Sequence, residues 1–247
     1  MMSRRTTLSF LSLAGALWTS ACAQAAEGST WSYAETRQWA TLSADYAVCS
    51  SGHNQSPVNI VAPLEADFPI PVLDYPVVGN SVLHDGHTLK VEFPTGNTLA
   101  VADRSYRLRQ LHFHVPAEHR IEGRTFPMEA HLVHEAEDGR LAVLAVLFEL
   151  GEPSQAVTAL LAQAPGAQGE RVALSDGVDA RSLLGDDLDV YRLNGSLTTP
   201  PCSEGVLWWV AKRPRSIGES QLEEMSRRIG EANNRPLQPL NARRLLD

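Results

Sequence analysis

Apolar and polar residues alternate over short stretches from about Ser81 to Trp209, which is the pattern of β-strands with one buried face. Turn signals such as Asp85-Gly86, Glu122-Gly123 and Asp138-Gly139 separate neighbouring stretches. Because tight turns join antiparallel neighbours, this pattern predicts a mainly β, α+β fold built on one large and mostly antiparallel sheet. The clearest predicted strands are LKVEF, YRLRQLHFHVP, MEAHLVHE, LAVLAVLFEL and GVLWWVAK.

Helical periodicity is confined to a few places in the chain. The segment SQAVTALLAQA has Ser154 as its predicted N-cap and ends near Pro165-Gly166. In GESQLEEMSRRIGEA, apolar residues at helical spacing share one face, and they are Leu222, Met225 and Ile229. No linker divides the chain, so we expect a single domain with a few peripheral helices.

The composition excludes several classes of protein. The chain has 247 residues, of which 43% are hydrophobic and 20% are charged, as in an ordinary globular protein. The net charge is −8 and no basic stripe occurs, which argues against nucleic acid as a partner. No apolar run reaches the ~18 residues that a membrane-spanning helix needs. We therefore expect no nucleic-acid partner and no membrane span, in either a monomer or a homodimer.

The N-terminal segment has the organisation of an export signal. A pair of arginines precedes a modest apolar stretch, and AQA at 23–25 then matches the small-x-small cleavage rule. We therefore expect a signal peptide over residues 1–25, a mature domain over residues 26–247 and a periplasmic location. The paired arginines also resemble a twin-arginine signal. Lipid attachment at Cys22 is a less favoured alternative, because Thr19 is a poor residue three positions before such a cysteine.

Cleavage after Ala25 would leave two cysteines, Cys49 and Cys202. An even pair of cysteines in an exported chain suggests one disulfide bond. Such a bridge would connect two segments that are far apart in the sequence.

Histidines at strand spacing indicate a metal site. In QLHFHV, a strand places Gln110, His112 and His114 on one face. In MEAHLVHE, it places Glu129 and His131 on one face, and antiparallel pairing of the two strands would bring the three imidazoles together. Three neutral imidazoles with an open fourth position suit a catalytic Zn²⁺. Gln110 and Glu129 stand where acceptors for the outer ring N–H groups are needed.

A different metal site is compatible with part of the same pattern. The spacing His112-x-His114-xxx-Glu118 matches the first motif of the cupins, in which the glutamate is also a ligand. The glycine spacing and the second histidine motif of that family do not occur here. His119 and His134 are spare histidines, which we expect to be surface or structural residues.

Five segments of the chain resemble motifs of the alpha-class carbonic anhydrases, in particular the exported bacterial members. They are NQSPVNI (54–60), QLHFHVPAEH (110–119), FPMEAHLVH (126–134), GSLTTPPCSEGVLWWV (195–210) and NNRPLQPLN (233–241). The resemblance implies one domain around a large, mostly antiparallel twisted sheet, with zinc at the bottom of a conical cleft. It also implies reversible hydration of carbon dioxide to bicarbonate and a proton by a zinc-bound hydroxide. Anions and sulfonamide-type inhibitors are expected ligands.

The resemblance also assigns roles to single residues. His112, His114 and His131 correspond to the zinc ligands, with Gln110 and Glu129 as partners of His112 and His131. His114 is expected to donate to the backbone carbonyl of Asn233.

The remaining roles concern the nucleophile, the substrate and the proton. Thr198 is expected to accept a hydrogen bond from the zinc-bound hydroxide and to donate one to Glu118. His87 resembles the proton shuttle, with His84 as its rival. Five residues are expected to line the substrate site, namely Thr198, Thr199, Val133, Val143 and Leu197. Tyr33 resembles a tyrosine that orders water in the cleft. A non-catalytic member of the family is the alternative, but such proteins lack a zinc ligand and this chain has all three.

Overall fold

A computed structural model of the chain describes residues 31–185 and 188–247. The predicted signal peptide over residues 1–25, with Cys22, lies outside the described residues. Within the described ranges, every helix falls short of the length and apolar character that a membrane crossing requires. Residues Trp31–Asp247 belong to one unit of the fold.

The described part of the chain contains thirteen β-strands, numbered here in chain order. They are β1 Asn59–Ile60, β2 Val72–Asp74, β3 Gly79–His84, β4 Leu89–Glu92, β5 Thr98–Val101, β6 Arg104–His114, β7 Arg120–Ile121, β8 Met128–Glu135, β9 Leu141–Leu150, β10 Arg171–Val178, β11 Val190–Ser196, β12 Glu204–Ala211 and β13 Arg215–Ile217. Eleven of these strands form one large twisted sheet, and β1 pairs separately with β7 in parallel.

The large sheet runs in the order β10-β3-β4-β6-β8-β9-β12-β11. In addition, β5 joins β6 to β2, and β13 pairs with β9. The pairs of β9 with β12 and with β13 are parallel, and the other pairs of this sheet in the described ranges are antiparallel. The predicted α+β fold with a large, mostly antiparallel sheet is therefore confirmed.

One irregularity in β6 decides which of its side chains share a face. The register between β6 and β8 shifts by one residue between Leu108 and Gln110. Leu108 packs in the main hydrophobic core before this shift, and Leu111 and Phe113 pack in the same core after it. The two-residue alternation is thus broken once, which is the effect of a β-bulge. As a result His112 lies on the face opposite to Leu108.

Strand β9 is buried on both faces, which explains its nearly continuous apolar sequence. Leu144 and Val146 pack in the main core, together with the helices on that side of the sheet. Val143, Ala145 and Leu147 pack in a second core on the other side. A strand with both faces covered has no reason to alternate apolar and polar residues.

Four short α-helices flank the sheet in the described ranges. They are α1 Trp39–Leu42, α2 Val48–Ser51, α3 Gln155–Gln163 and α4 Glu219–Ile229. The predicted cap of α3 is confirmed, since the Ser154 side chain accepts a hydrogen bond from the backbone N–H of Val157. The predicted apolar face of α4 is confirmed as well, since Met225 and Ile229 are buried and Leu222 packs against the same core.

The predicted disulfide bond between Cys49 and Cys202 is present, with the two Cα atoms 5.0 Å apart. It joins α2 to the turn before β12 across a separation of 153 residues. Side-chain hydrogen bonds support the same junction. Gln55 Nε2 donates to the carbonyl of Cys202 at 3.1 Å, and Arg235 Nη2 donates to the carbonyl of Cys49 at 2.8 Å.

Replacing Cys49 and Cys202 together with serine is expected to lower the free energy of unfolding by about 2–5 kcal/mol, as is usual for loss of a native bridge. The reason is that the unfolded chain loses a constraint over a long loop. Urea denaturation of both proteins measures the difference, with and without reductant. Reductant should destabilise only the parent protein. If it destabilises the double variant equally, the bridge is not the source of the effect.

Candidate metal centre

Antiparallel pairing of β6 with β8 brings the three predicted histidines together. His112 lies directly opposite His131, and His114 lies opposite Glu129. One nitrogen from each imidazole falls into a cluster whose members all lie within 4.8 Å of one another. His114 and His131 are buried, whereas His112 is partly exposed. The centre is therefore reached from the side of His112.

Hydrogen bonds to the outer ring nitrogens fix which nitrogens face inward. His112 Nδ1 donates to Gln110 Oε1 at 2.8 Å, and His114 Nδ1 donates to the carbonyl of Asn233 at 2.7 Å. His131 Nε2 donates to Glu129 Oε1 at 2.7 Å. Since carbonyl and carboxylate oxygens only accept hydrogen bonds, the outer nitrogens carry the protons.

The inner nitrogens of the neutral rings therefore hold lone pairs that point at one another. The inner nitrogens of His114 and His131 are only 3.1 Å apart. Burial holds the pKa of His112, His114 and His131 below the usual imidazole range, and repulsion between the rings lowers it further at His112 and His131. Three converging lone pairs on neutral imidazoles fit a tetrahedral metal ion with one open position.

Glu129 is a buried carboxylate that anchors this centre from behind. Its Oε1 accepts hydrogen bonds from His131 Nε2 and His119 Nδ1, both at 2.7 Å. Its Oε2 accepts the backbone N–H groups of Glu118 and His119, both at 2.8 Å. Burial alone would raise the pKa of Glu129, but the two imidazoles and their hydrogen bonds hold it well below its usual range. The carboxylate is therefore ionised and fixes the His131 ring.

The sequence analysis did not predict that His119 hydrogen-bonds to Glu129. His119 is fully buried in the loop after β6, so the expectation of a surface residue is wrong and that of a structural residue is confirmed. His134 is also buried, and its Nε2 lies 2.6 Å from the Tyr75 hydroxyl. Burial lowers the pKa of His134 to about 4, so this ring is neutral at physiological pH.

Glu118 is a second buried carboxylate close to the centre. Its Oε2 lies 3.6 Å from His114 Nε2, and its Oε1 accepts the backbone N–H of Arg235 at 2.8 Å. Burial raises the pKa of Glu118 to about 7, while the nearby His131 imidazole and, to a smaller extent, the Thr198 side chain lower it. A divalent cation on the imidazoles would lower this pKa further, because positive charge favours the ionised carboxylate.

The loop that carries Thr198 is held at both ends. Ser196 exchanges two hydrogen bonds with Ser56, at 2.9 and 3.3 Å, and its carbonyl accepts the Trp208 indole N–H at 3.1 Å. At the other end, the backbone N–H of Cys202 donates to the carbonyl of Thr199 at 2.8 Å. Thr198 itself is buried, with 5% of its surface exposed. The disulfide bond thus ends in the loop that positions Thr198 beside Glu118.

Comparisons with known proteins decide the family. Residues 34–247 match the family model described as eukaryotic-type carbonic anhydrase. The chain belongs to the alpha carbonic anhydrase family. A carbonic anhydrase of Neisseria gonorrhoeae is 46% identical over 210 residues, which cover 85% of this chain and 83% of that protein.

Solved structures of alpha carbonic anhydrases have the same fold. The enzyme of Thermovibrio ammonificans, solved with the inhibitor sulfanilamide, superposes with a TM-score of 0.86 at 37% identity. That match covers 89% of this chain and 100% of the other. The enzyme of Photobacterium profundum gives a TM-score of 0.84 at 40% identity, over 88% and 100% of the two chains. Membership of this family leaves the cupin interpretation without support.

The three apolar residues expected to form the carbon dioxide site of the family lie in one cluster. Val133 and Val143 are directly opposed on β8 and β9. Val143 is 2% exposed, and Val133 and Leu197 are partly buried against the same second core. Leu197 immediately precedes Thr198, so this apolar cluster adjoins the loop. Thr199 follows and is partly exposed.

The two shuttle candidates of the family have different surroundings. His84 is buried, and its Nε2 donates to the backbone carbonyl of Arg228 at 2.8 Å. His87 is partly exposed, and its ring stacks on the indole of Trp31 with the centroids 3.8 Å apart. Burial lowers the pKa of His87, while Asp85 raises it. Only His87 of the pair has a side chain free of a fixed backbone partner and partly open to solvent.

Tyr33 lies between the shuttle candidate and the metal centre. Its ring centroid is 6.1 Å from that of His87 and 6.5 Å from that of His114. Burial, followed by the negative charge of Glu118 and Asp85, raises the pKa of Tyr33 well above its usual value. The phenol therefore keeps its proton and can both donate and accept hydrogen bonds.

Proposed function

We propose that this chain catalyses the reversible hydration of carbon dioxide to bicarbonate and a proton, with Zn²⁺ held by His112, His114 and His131. The observation that carries the proposal is the convergence of three imidazole lone pairs, each fixed by a hydrogen bond on the far side of its ring. Membership of the carbonic anhydrase family gives independent support.

Zinc suits this donor set better than the hard cations Mg²⁺ and Ca²⁺ do. Imidazole ligands favour zinc over the hard cations Mg²⁺ and Ca²⁺, which take oxygen ligands. Three protein ligands and an open fourth position are typical of catalytic rather than structural zinc. When bound, Zn²⁺ lowers the pKa of a water molecule towards neutrality and so supplies the nucleophile.

Thr198 and Glu118 are proposed to orient that nucleophile. The Thr198 hydroxyl has one proton, and donating it to the Glu118 carboxylate leaves its oxygen able only to accept. The nucleophile must then turn its own proton towards Thr198, which points an oxygen lone pair away from the threonine. Holding one orientation removes part of the entropic cost of the reaction.

The neighbouring apolar cluster is proposed to hold carbon dioxide. The substrate has no net charge and no hydrogen-bond donor, so Val133, Val143 and Leu197 can hold it without displacing a fixed polar partner. Addition of the hydroxyl oxygen to carbon gives bicarbonate, and the proton lost from water must leave separately. Both sides of CO₂ + H₂O ⇌ HCO₃⁻ + H⁺ then balance in atoms and charge.

His87 is proposed to pass that proton to solvent through water ordered near Tyr33. Replacing His87 with alanine is expected to slow turnover in weak buffer by roughly 10–100-fold, at or below the usual contribution of a positioned acid or base. Added imidazole should restore the rate, because its pKa near ~6.5 suits proton transfer around neutrality. Stopped-flow hydration assays at two buffer concentrations measure both effects.

The matched control for that variant is His84→Ala. His84 donates to Arg228 and is buried, so its loss should leave no defect that imidazole restores. If His84→Ala shows the restorable defect and His87→Ala does not, the shuttle is assigned to the wrong histidine.

A sulfonamide tests the proposed function. Sulfanilamide is bound by the Thermovibrio relative, and we expect it to inhibit carbon dioxide hydration by this chain. Hydration that continues at saturating sulfanilamide would contradict a shared active centre. Equilibrium dialysis with zinc-loaded and chelator-treated protein should show that the inhibitor binds only when zinc is present.

Export is proposed on separate grounds. The small-x-small site at 23–25 and the disulfide bond both suit a protein of an oxidising compartment. A periplasmic location of the processed chain, residues 26–247, is consistent with both.

A further inference from the structure

Three arginines line a surface cavity of about 370 Å³ that shares no residue with the histidine centre. Arg192 lies on β11, and Arg243 and Arg244 lie in the C-terminal segment beside it. The backbone N–H of Arg192 donates to the carbonyl of Leu246, and the N–H of Leu246 donates back, both at 3.0 Å. These two bonds fix the segments that carry the three cations.

Arg243 is held in place by backbone carbonyls rather than by a carboxylate. Its Nε donates to the carbonyl of Leu240, its Nη1 to that of Asn194 and its Nη2 to that of Pro239, at 3.1, 3.0 and 2.8 Å. A guanidinium has five N–H donors, so two remain after these three bonds. Arg243 is therefore a fixed cation whose charge is not neutralised by its own partners.

The other two guanidiniums also lack an acidic partner. In residues 31–185 and 188–247, no carboxylate lies within 4 Å of the guanidinium nitrogens of Arg192, Arg243 or Arg244, although several other arginines of the chain have one. Glu204 interacts with Arg243 only at longer range. Its Oε1 already accepts hydrogen bonds from the Asn54 N–H and from Gln55 Nε2.

We propose that this cavity binds a small molecule with a multivalent, phosphate-type oxyanion. Guanidinium groups bind phosphate oxygens through paired hydrogen bonds, and three of them match an ion of more than one negative charge. The side chains of Asn54 and Asn194 add polar groups to the lining, and the volume falls in the range of small-molecule sites. Arg192 also lies over the Phe68 ring, with its Cζ 5.9 Å from the ring centroid, so it and Arg243 have aromatic or backbone partners that leave their positive charge without a carboxylate.

The test is isothermal titration of the full enzyme with inorganic phosphate. The parent protein is compared with Arg192→Gln/Arg244→Gln, in which Arg243 is retained because its replacement would remove three bonds of the C-terminal segment. The control Arg37→Gln/Arg140→Gln removes the same charge from exposed arginines outside the cavity. Sulfanilamide is present throughout, so that phosphate at the histidine centre adds no signal.

We expect one phosphate per chain, with affinity at least about tenfold weaker in the cavity variant, since each charge-assisted hydrogen bond usually contributes on that scale. The control should bind as the parent does. Glycerol phosphate in place of inorganic phosphate then distinguishes an organic phosphate from the free ion as the better ligand. An absence of binding by the parent protein, or equal weakening in both variants, would overturn the proposal.

Discussion

Replacing His131 with alanine is expected to remove zinc from the protein and to reduce carbon dioxide hydration to the uncatalysed rate. The change leaves two imidazole lone pairs where three converge. Loss of a hydrogen-bond partner of a ligand alone usually costs about 10–100-fold in metal affinity, so loss of the ligand itself should cost more. Zinc content by mass spectrometry and hydration by stopped flow measure the two effects.

His134 provides a matched control on the same strand. It is buried like His131 but points to the opposite face of β8, where it meets Tyr75 rather than the metal centre. His134→Ala is expected to cost stability and to retain zinc. A His131→Ala protein that keeps one zinc per chain and full activity would show that this histidine is not a ligand.

The second large effect is expected from Glu118→Gln, which should retain zinc and lose hydration activity by roughly 10²-fold, as when one positioned polar group is removed from an active site. The glutamine carbonyl can still accept the N–H of Arg235. Its NH₂ group then faces Thr198 and donates to the hydroxyl. The Thr198 hydroxyl then accepts from the glutamine and donates its own proton to the nucleophile. Both hydrogen bonds of Thr198 therefore run in the opposite direction.

Glu204→Gln is the control for that substitution. Glu204 also accepts a backbone N–H, from Asn54 at 2.6 Å, but it lies away from the histidine centre. This variant should retain both zinc and activity. A Glu118→Gln protein that folds but contains no metal would indicate that Glu118 is itself a ligand, as in a cupin site.

Much of the centre could be predicted because a strand has a simple period. A spacing of two residues puts Gln110, His112 and His114 on one face of a strand. The same rule puts Glu129 and His131 on one face of the neighbouring strand. These positions depend only on local backbone geometry, and the structure has them as expected. The family motifs then supplied the residues that are distant in sequence, such as Thr198.

The shift in β6 could not be predicted from the period alone. Leu108 lies opposite His134. If that register continued along the whole strand, His112 would lie opposite Ala130 rather than His131. Opposed residues share a face, so His131 would then point away from His112. The apolar pair Leu108 and Leu111, three positions apart, is the sequence signal of the bulge.

Other features depend on contacts between distant segments. The bond from His119 to Glu129 on β8, the stacking of Trp31 on His87 and the contacts of Arg235 each depend on the conformation of a loop. The Arg235 guanidinium is buried against Gln55 and the disulfide, and burial lowers its pKa to about 10. Loop conformations follow from tertiary packing, so neither composition nor periodicity indicates them.

The central claim is that three imidazoles hold a zinc ion that hydrates carbon dioxide, and stopped-flow hydration with zinc analysis of the same purified sample tests it most directly. We predict about one zinc per chain, hydration far faster than in buffer, loss of this activity on chelation, and its return with one equivalent of zinc. A folded protein that contains one zinc per chain and hydrates carbon dioxide no faster than buffer would contradict the claim.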